Sequence, residues 1–173
     1  VASDFASTPE QAQWLVASLR RMLRVGDHVE DFTLLDQEGV ARSLSELLVD
    51  GPVVLFFYPA AMTPGCTKES CHFRDLGGEF KAAGAQRVGI SLDDVAKQQE
   101  FSTKHGFDFP LLADARGEVA KRFGVKRPVG FLKVKRATFV IDRSATVIAA
   151  FSSELNMEAH ADQALEVIRA AAG

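Results

Sequence analysis

The stretch Val53-Val54-Leu55-Phe56-Phe57-Tyr58-Pro59-Ala60-Ala61-Met62-Thr63-Pro64-Gly65-Cys66-Thr67-Lys68-Glu69-Ser70-Cys71 decides the reading of this 173-residue chain. Its first six residues form an unbroken β-branched and aromatic run, the pattern of a strand buried on both faces of its sheet. Pro59 interrupts the run and a loop follows. Pro64 then suits the first position of a helix, which the spacing carries to about Leu76. A buried strand feeding a helix is the building unit of α/β sheets. In such sheets, sites form at the carboxyl ends of the strands.

Working outward, Arg87 to Ser91 reads as a second buried strand and Val95 to His105 as a helix. A short strand is expected at Phe109 to Leu112 and a short helix at Glu118 to Phe123. Thr138 to Ile141 and Val147 to Phe151 flank a turn at Arg143 to Thr146, so this pair is antiparallel. Ala159 to Ala171 closes the chain as an amphipathic helix with Ala161, Leu165 and Ile168 on one face. Upstream, Phe32 to Leu35 and Val40 to Ser43 make a small hairpin about Gln37-Glu38-Gly39, and Leu44 to Val49 a short helix. The sum is an α/β fold, a mixed sheet with helices on both faces.

Before it, Thr8 and Pro9 start a helix, with Gln11 completing a capping box. Ala12, Leu15, Val16, Leu19, Met22 and Leu23 recur at helical spacing, and Gly26 ends the pattern. Residues 1–24 are thus expected to be a helical extension on a domain spanning 25–173. Its apolar stripe is expected to dock on its own or a sister subunit, with a membrane or partner contact as the alternative.

Twenty Lys plus Arg stand against 23 Asp plus Glu, a net charge of −3. That balance argues against nucleic acid or a membrane surface as partner, since both select excess positive charge. The longest apolar run, Val53 to Met62, contains Pro59 and is too short to span a bilayer. The early Asp4 and the lack of a basic and then apolar N-terminal pattern give no expectation of a signal peptide. Two cysteines, Cys66 and Cys71, make neither a disulfide framework nor, alone, a four-ligand zinc site. Their scarcity suits a reducing compartment, the cytoplasm.

Chemistry concentrates at Cys66, which falls in the first turn of its helix. Unpaired N–H groups and the helix dipole favour an anion there, and a thiolate is such an anion. Thr63 puts a hydroxyl three residues earlier, able to bond the sulfur or whatever it attacks. The alternative, an inert buried thiol, sits poorly in a loop of Pro, Gly and Thr. Glu69 lies one turn on from Cys66, free to orient a cation or simply to be solvated. His72 beside Cys71, His105 and His160 read as ordinary residues, and Trp14 as packing. The basic run from Lys121 to Arg136 reads as a solvated edge, with docking of an acidic reductase as the alternative.

Pro59, Thr63 and Cys66 together spell Pro-x-x-x-Thr-x-x-Cys, and this resembles the active-site pattern of the peroxiredoxins. Cys71, five residues on, looks like the resolving cysteine of the Q or bacterioferritin comigratory protein type. The likeness runs from about Val25 to about Leu165. It takes in Phe109-Pro110-Leu111-Leu112-Ala113-Asp114, Phe123-Gly124-Val125 and Arg136-Ala137-Thr138-Phe139-Val140-Ile141-Asp142. It implies a thioredoxin-like fold and reduction of hydroperoxides, hydrogen peroxide and alkyl hydroperoxides among them, with no metal or organic cofactor. It implies that Cys66 attacks the peroxide, Thr63 binds its oxygen and Pro59 shields the site. Arg136 would reach Cys66 in space, where a cation favours the thiolate and the charge moving onto oxygen; spacing alone leaves a surface arginine equally open.

Cys71 would close an intramolecular disulfide that thioredoxin or a similar dithiol reductase reopens, in a monomer or homodimer. A non-enzymatic redox sensor is the rival reading, since it shares the first steps. A dithiol oxidoreductase fits less well, because the spacing is Cys-x4-Cys. The chain departs from the resemblance at its N-terminal extension, at Ala60-Ala61-Met62, which makes the entrance more apolar, and at Ser144-Ala145 in the hairpin turn.

Overall fold

The computed structural model describes residues 21–173. Seven strands form one mixed sheet: β1 (Thr33–Leu35), β2 (Ala41–Ser43), β3 (Val53–Phe57), β4 (Gln86–Ser91), β5 (Leu111–Ala113), β6 (Ala137–Ile141) and β7 (Val147–Ser152). Their order across the sheet is β2-β1-β5-β4-β3-β6-β7. Strands β3, β4 and β5 run parallel, and β6, β7 and the β1–β2 hairpin are antiparallel additions at the two sides. The expected mixed α/β sheet is therefore present, in a thioredoxin-like arrangement.

Strand β3 is central because every one of its side chains is buried. Its period of two divides them between two cores. Val53, Leu55 and Phe57 face one core with Phe123 and Phe139, under helices α1 (Leu44–Val49) and α5 (Glu118–Arg122). Val54 and Phe56, continued by Tyr58, face the other. That second core is roofed by α2 (Pro64–Asp75), α3 (Gly77–Ala82), α4 (Val95–His105) and α6 (Met157–Ala172), through Phe73, Phe80, Phe101 and the Ala161, Leu165 and Ile168 stripe. Phe56 stacks on Phe73 at 4.1 Å between ring centroids, which clamps α2 onto the strand that precedes it.

Two elements depart from the sequence reading. A separate short helix, α3, follows α2 after a break at Leu76. It was hidden by Gly77-Gly78, which lower helix propensity. At Gly77 a Cβ would lie 3.0 Å from the Arg87 guanidinium, which would have to shift to admit it. That guanidinium donates to the Phe73 carbonyl and to Asp108, tying the end of α2 to the sheet.

The other departure is at the extension. Residues 21–24 are irregular instead of forming the last turn of the expected helix. The Leu23 N–H donates to the Phe123 carbonyl at 3.1 Å, and Met22 and Leu23 pack on the core, so the body of the domain claims them. The rest of that helix, Pro9 to Arg20, lies outside the described residues. In the β6–β7 turn, Ala145 takes a left-handed φ of 57°, where the resemblance led one to look for glycine.

Candidate active site

Helix α2 begins at Pro64 with Thr63 as its extended N-cap. The Thr67 N–H closes the first turn on the Thr63 carbonyl at 2.9 Å. Pro64 has no N–H, so the amides of Gly65 and Cys66 are left outside the intrahelical ladder. Cys66 is fully buried at that positive end, in the second core. The Thr63 hydroxyl does not cap the helix; it donates to the Ala60 carbonyl at 2.7 Å. Its proton is thereby committed, and its oxygen lone pairs are left to accept.

The loop from Pro59 to Thr63 is held in place from outside. The Ala61 N–H donates to Asp93 Oδ2 at 2.7 Å, and the Ser91 hydroxyl donates to the same oxygen at 2.7 Å. Asp93 stands just beyond the end of β4, so it moors the loop to the sheet. Half-buried Pro59 sits between this anchor and the Tyr58 N–H, which bonds to Ile90. Met62 is left-handed, with φ 68°. A non-glycine residue held there costs on the order of 1 kcal/mol, and such strain gathers at functional loops. The sequence marked Met62 only as part of an apolar entrance, and gave no signal for its backbone conformation or for Asp93.

Arg136 arrives from 70 residues away because of strand register. Phe57 pairs with Ala137, so the residue before β6 is level with the end of β3, where the Cys66 loop begins. Its side chain is buried, not part of an exposed basic edge. Nη2 lies 3.4 Å from Cys66 Sγ, and Nη1 bonds to Oε2 of the fully buried Glu69. Its main-chain N–H donates to Glu154 Oε1 at 3.1 Å, which also accepts from Arg127 at 2.6 Å. A Cβ on Gly65 would lie 3.1 Å from Met157 Cε and 3.2 Å from Arg136 Nη2. Gly65 thus makes room for the guanidinium.

His160 is also part of the site, against the sequence reading. It is buried at the start of α6, with Nε2 2.9 Å from the Ser153 carbonyl and Nδ1 2.8 Å from the Thr138 hydroxyl. Nδ1 also lies 3.6 Å from Glu69 Oε1. Burial holds the His160 ring below the usual histidine range. Burial pushes Glu69 up to about 8, against the pull of Arg136. Cys71 lies on the same helix, half-buried and unpaired, and burial pushes its thiol up. The remaining candidates stand apart: His72 pairs with Asp162 at 2.7 Å, and His105 packs on Phe101 and Phe107.

The AhpC/TSA family profile matches residues 25–150. The chain belongs to the AhpC/TSA family of peroxiredoxins. A protein of Mycobacterium tuberculosis that carries the peroxiredoxin name is 59% identical over 150 residues, 86% of this chain and 97% of the relative. The crystal structure of the peroxidoxin BcpB from Mycobacterium tuberculosis superposes with a TM-score of 0.83 at 59% identity, covering 87% of this chain and 98% of that one. The bacterioferritin comigratory protein of Xanthomonas campestris gives a TM-score of 0.76 at 31% identity, over 82% and 92% of the two chains. This peroxiredoxin is accordingly a thiol-dependent peroxidase. No helix among its described residues is long and apolar enough to cross a membrane.

Proposed function

We propose that Cys66 is the residue that attacks the peroxide, in a reaction recycled through Cys71. The observation that carries this is the Arg136 guanidinium 3.4 Å from Cys66 Sγ, in a buried site at the start of a helix. A fixed cation in a water-poor setting supports a thiolate and the charge that develops on the leaving oxygen. The sulfur attacks one peroxide oxygen and the O–O bond breaks. Cys66 is oxidised to a sulfenic acid, and the other oxygen leaves, protonated, as water or an alcohol. Thr63, its own proton held by Ala60, is suited to accept the hydroxyl of the incoming peroxide. Pro59, Ala61 and Met62 form the apolar cover of the loop. The Xanthomonas campestris relative is described by its alkyl peroxide reduction activity, and that apolar cover supports alkyl hydroperoxides as substrates here, beside hydrogen peroxide.

The thiol of Cys71 then condenses with the sulfenic acid, expelling water and forming a disulfide. A dithiol reductase of the thioredoxin kind reopens it by exchange. A reducing compartment such as the cytoplasm suits that cycle. Stopped-flow measurement of peroxide consumption, with and without a thioredoxin system, tests the scheme. Rapid multiple turnovers are expected only when the reductase is supplied. Oxidation without turnover under those conditions would count against it.

A further inference from the structure

Glu69 places a second acidic group on the same guanidinium that serves Cys66, and the surroundings decide which of the two keeps the charge. Its Oε2 meets Arg136, and its Oε1 is buried with no hydrogen-bond partner among the described residues. What Oε1 faces is His160 Nδ1, 3.6 Å away. The tautomer of that ring follows from its contacts. Nε2 meets the Ser153 carbonyl, which only accepts, so Nε2 carries the hydrogen. In the neutral ring Nδ1 is then a lone pair, and the Thr138 hydroxyl donates to it. An ionised Oε1 would therefore point a buried negative charge at a lone pair, with no donor in reach among the described residues. A protonated Oε1 would point a hydrogen at that lone pair, sharing it with the Thr138 hydroxyl in a three-centre bond. The gap is a few tenths of an ångström beyond hydrogen-bond range, which a small turn of either side chain closes.

Charge counting leads the same way. The groups around Glu69 are Cys66 on its own helix, Arg136 ahead of β6, His160 on α6, and Glu154 after β7, with Arg127 already paired to Glu154. If Cys66 and Glu69 were both ionised, two buried anions would share one cation. We propose that Glu69 acts as a neutral carboxylic acid whose proton is directed at His160 Nδ1, leaving the charge of Arg136 to the Cys66 thiolate. His160 is then a positioning residue that acts through Glu69. Burial, which raises Glu69 and lowers His160, favours this placement of the proton over the imidazolium–carboxylate alternative. Loss of the proton in alkaline solution would turn Glu69 into a competitor for Arg136.

The inference rests on Cys66 being the attacking thiolate, and its test has one arm that needs no turnover. The infrared spectrum of the reduced wild type at neutral pH, minus that of Glu69→Gln, is expected to show the C=O stretch of a buried carboxylic acid. That band is expected to shift in His160→Phe, which has no acceptor at Nδ1, and to return toward its original position in His160→Asn, whose Oδ1 supplies one. In the kinetic arm, the wild-type rate constant with hydrogen peroxide is expected to fall above about pH 8. Glu69→Gln is expected to lose that alkaline fall. A carboxylate band in place of the acid band, or an acid band indifferent to His160→Phe, would overturn the proposal. So would an alkaline fall that persists in Glu69→Gln.

Discussion

Arg136 Nη2 lies 3.4 Å from Cys66 Sγ, although 70 residues separate them in the chain. The contact is made by sheet register, since Arg136 stands one residue before β6 and β6 lies antiparallel beside β3. One buried cation therefore serves a sulfur delivered by the neighbouring strand's loop and helix. The energetic consequence can be measured by removing it. Arg136→Ala is expected to slow peroxide reduction by about 10²–10³, the range for loss of one preorganised donor. It should also reduce the fraction of Cys66 present as thiolate, read by ultraviolet absorbance across pH. An unchanged rate with an unchanged titration would remove Arg136 from the site.

Gly65 tests the same geometry without touching a charged group. In Gly65→Ala the new methyl would come 3.1 Å from Met157 Cε and 3.2 Å from Arg136 Nη2, so a neighbour must yield. A displacement of a few tenths of an ångström at the guanidinium is expected to cost about tenfold in rate. Folding stability should change little, because Met157 is a flexible side chain and alanine is a better helix former than glycine. Equal rates in the two proteins would show that Arg136 tolerates the displacement.

Cys66 and Cys71 share helix α2, so five residues separate them on a regular helix. That spacing gives about 7.5 Å of rise and roughly 140° of rotation. Their Cα atoms are then about 8–9 Å apart, beyond the ~7 Å a disulfide spans without backbone movement. Oxidation is therefore expected to unwind part of residues 66–72, where Thr67 and Ser70 are only moderate helix formers. Hydrogen exchange should rise across that turn in the disulfide form while the sheet is little changed. Equal protection in both redox states would mean that Cys71 is not the resolving thiol.

Glu69 gives a pH dependence of stability with a definite sign. Its ordinary value is 4.5, and burial raises it to about 8 in the folded protein. The folded state thus holds the proton more tightly than the unfolded chain. Its stabilising contribution is complete below the ordinary value and is lost as pH rises from there toward about 8. Glu69→Gln removes that titration. Denaturant unfolding of the variant relative to wild type should therefore favour the variant increasingly as pH rises through this window. A difference that stays flat with pH would show that Glu69 is ionised in the folded state at neutral pH.

Local patterns in the sequence were enough to find the strand β3, the start of α2 and Cys66 within its first turn. Each of those depends on neighbours in the chain: an apolar run, a proline, a helix N-terminus. Arg136 was a different case, because nothing in its own neighbourhood separates a buried guanidinium from an exposed one. Only the resemblance pointed to it, and only the β3–β6 register explains its reach. Glu154 and His160 were illegible for the same reason. Their contacts, with the Arg136 main chain and with Thr138 and Glu69, cross between elements and leave no spacing to read. Gly65 and Met62 show a further limit. A glycine needed for close approach and a methionine held at positive φ look like ordinary loop residues until their surroundings are known.

The central claim, that Cys66 is the atom-level site of peroxide reduction, is tested most directly by trapping its product. The reduced Cys71→Ser protein is treated with one equivalent of hydrogen peroxide in the presence of a sulfenic-acid-specific trap, and the adduct is located by mass spectrometry of its peptides. The expected result is one adduct, on Cys66, formed at the rate of peroxide consumption, and none in a parallel Cys66→Ser protein. An adduct on Cys71 in the Cys66→Ser protein at that same rate, or peroxide consumption with Cys66 unmodified, would contradict the account.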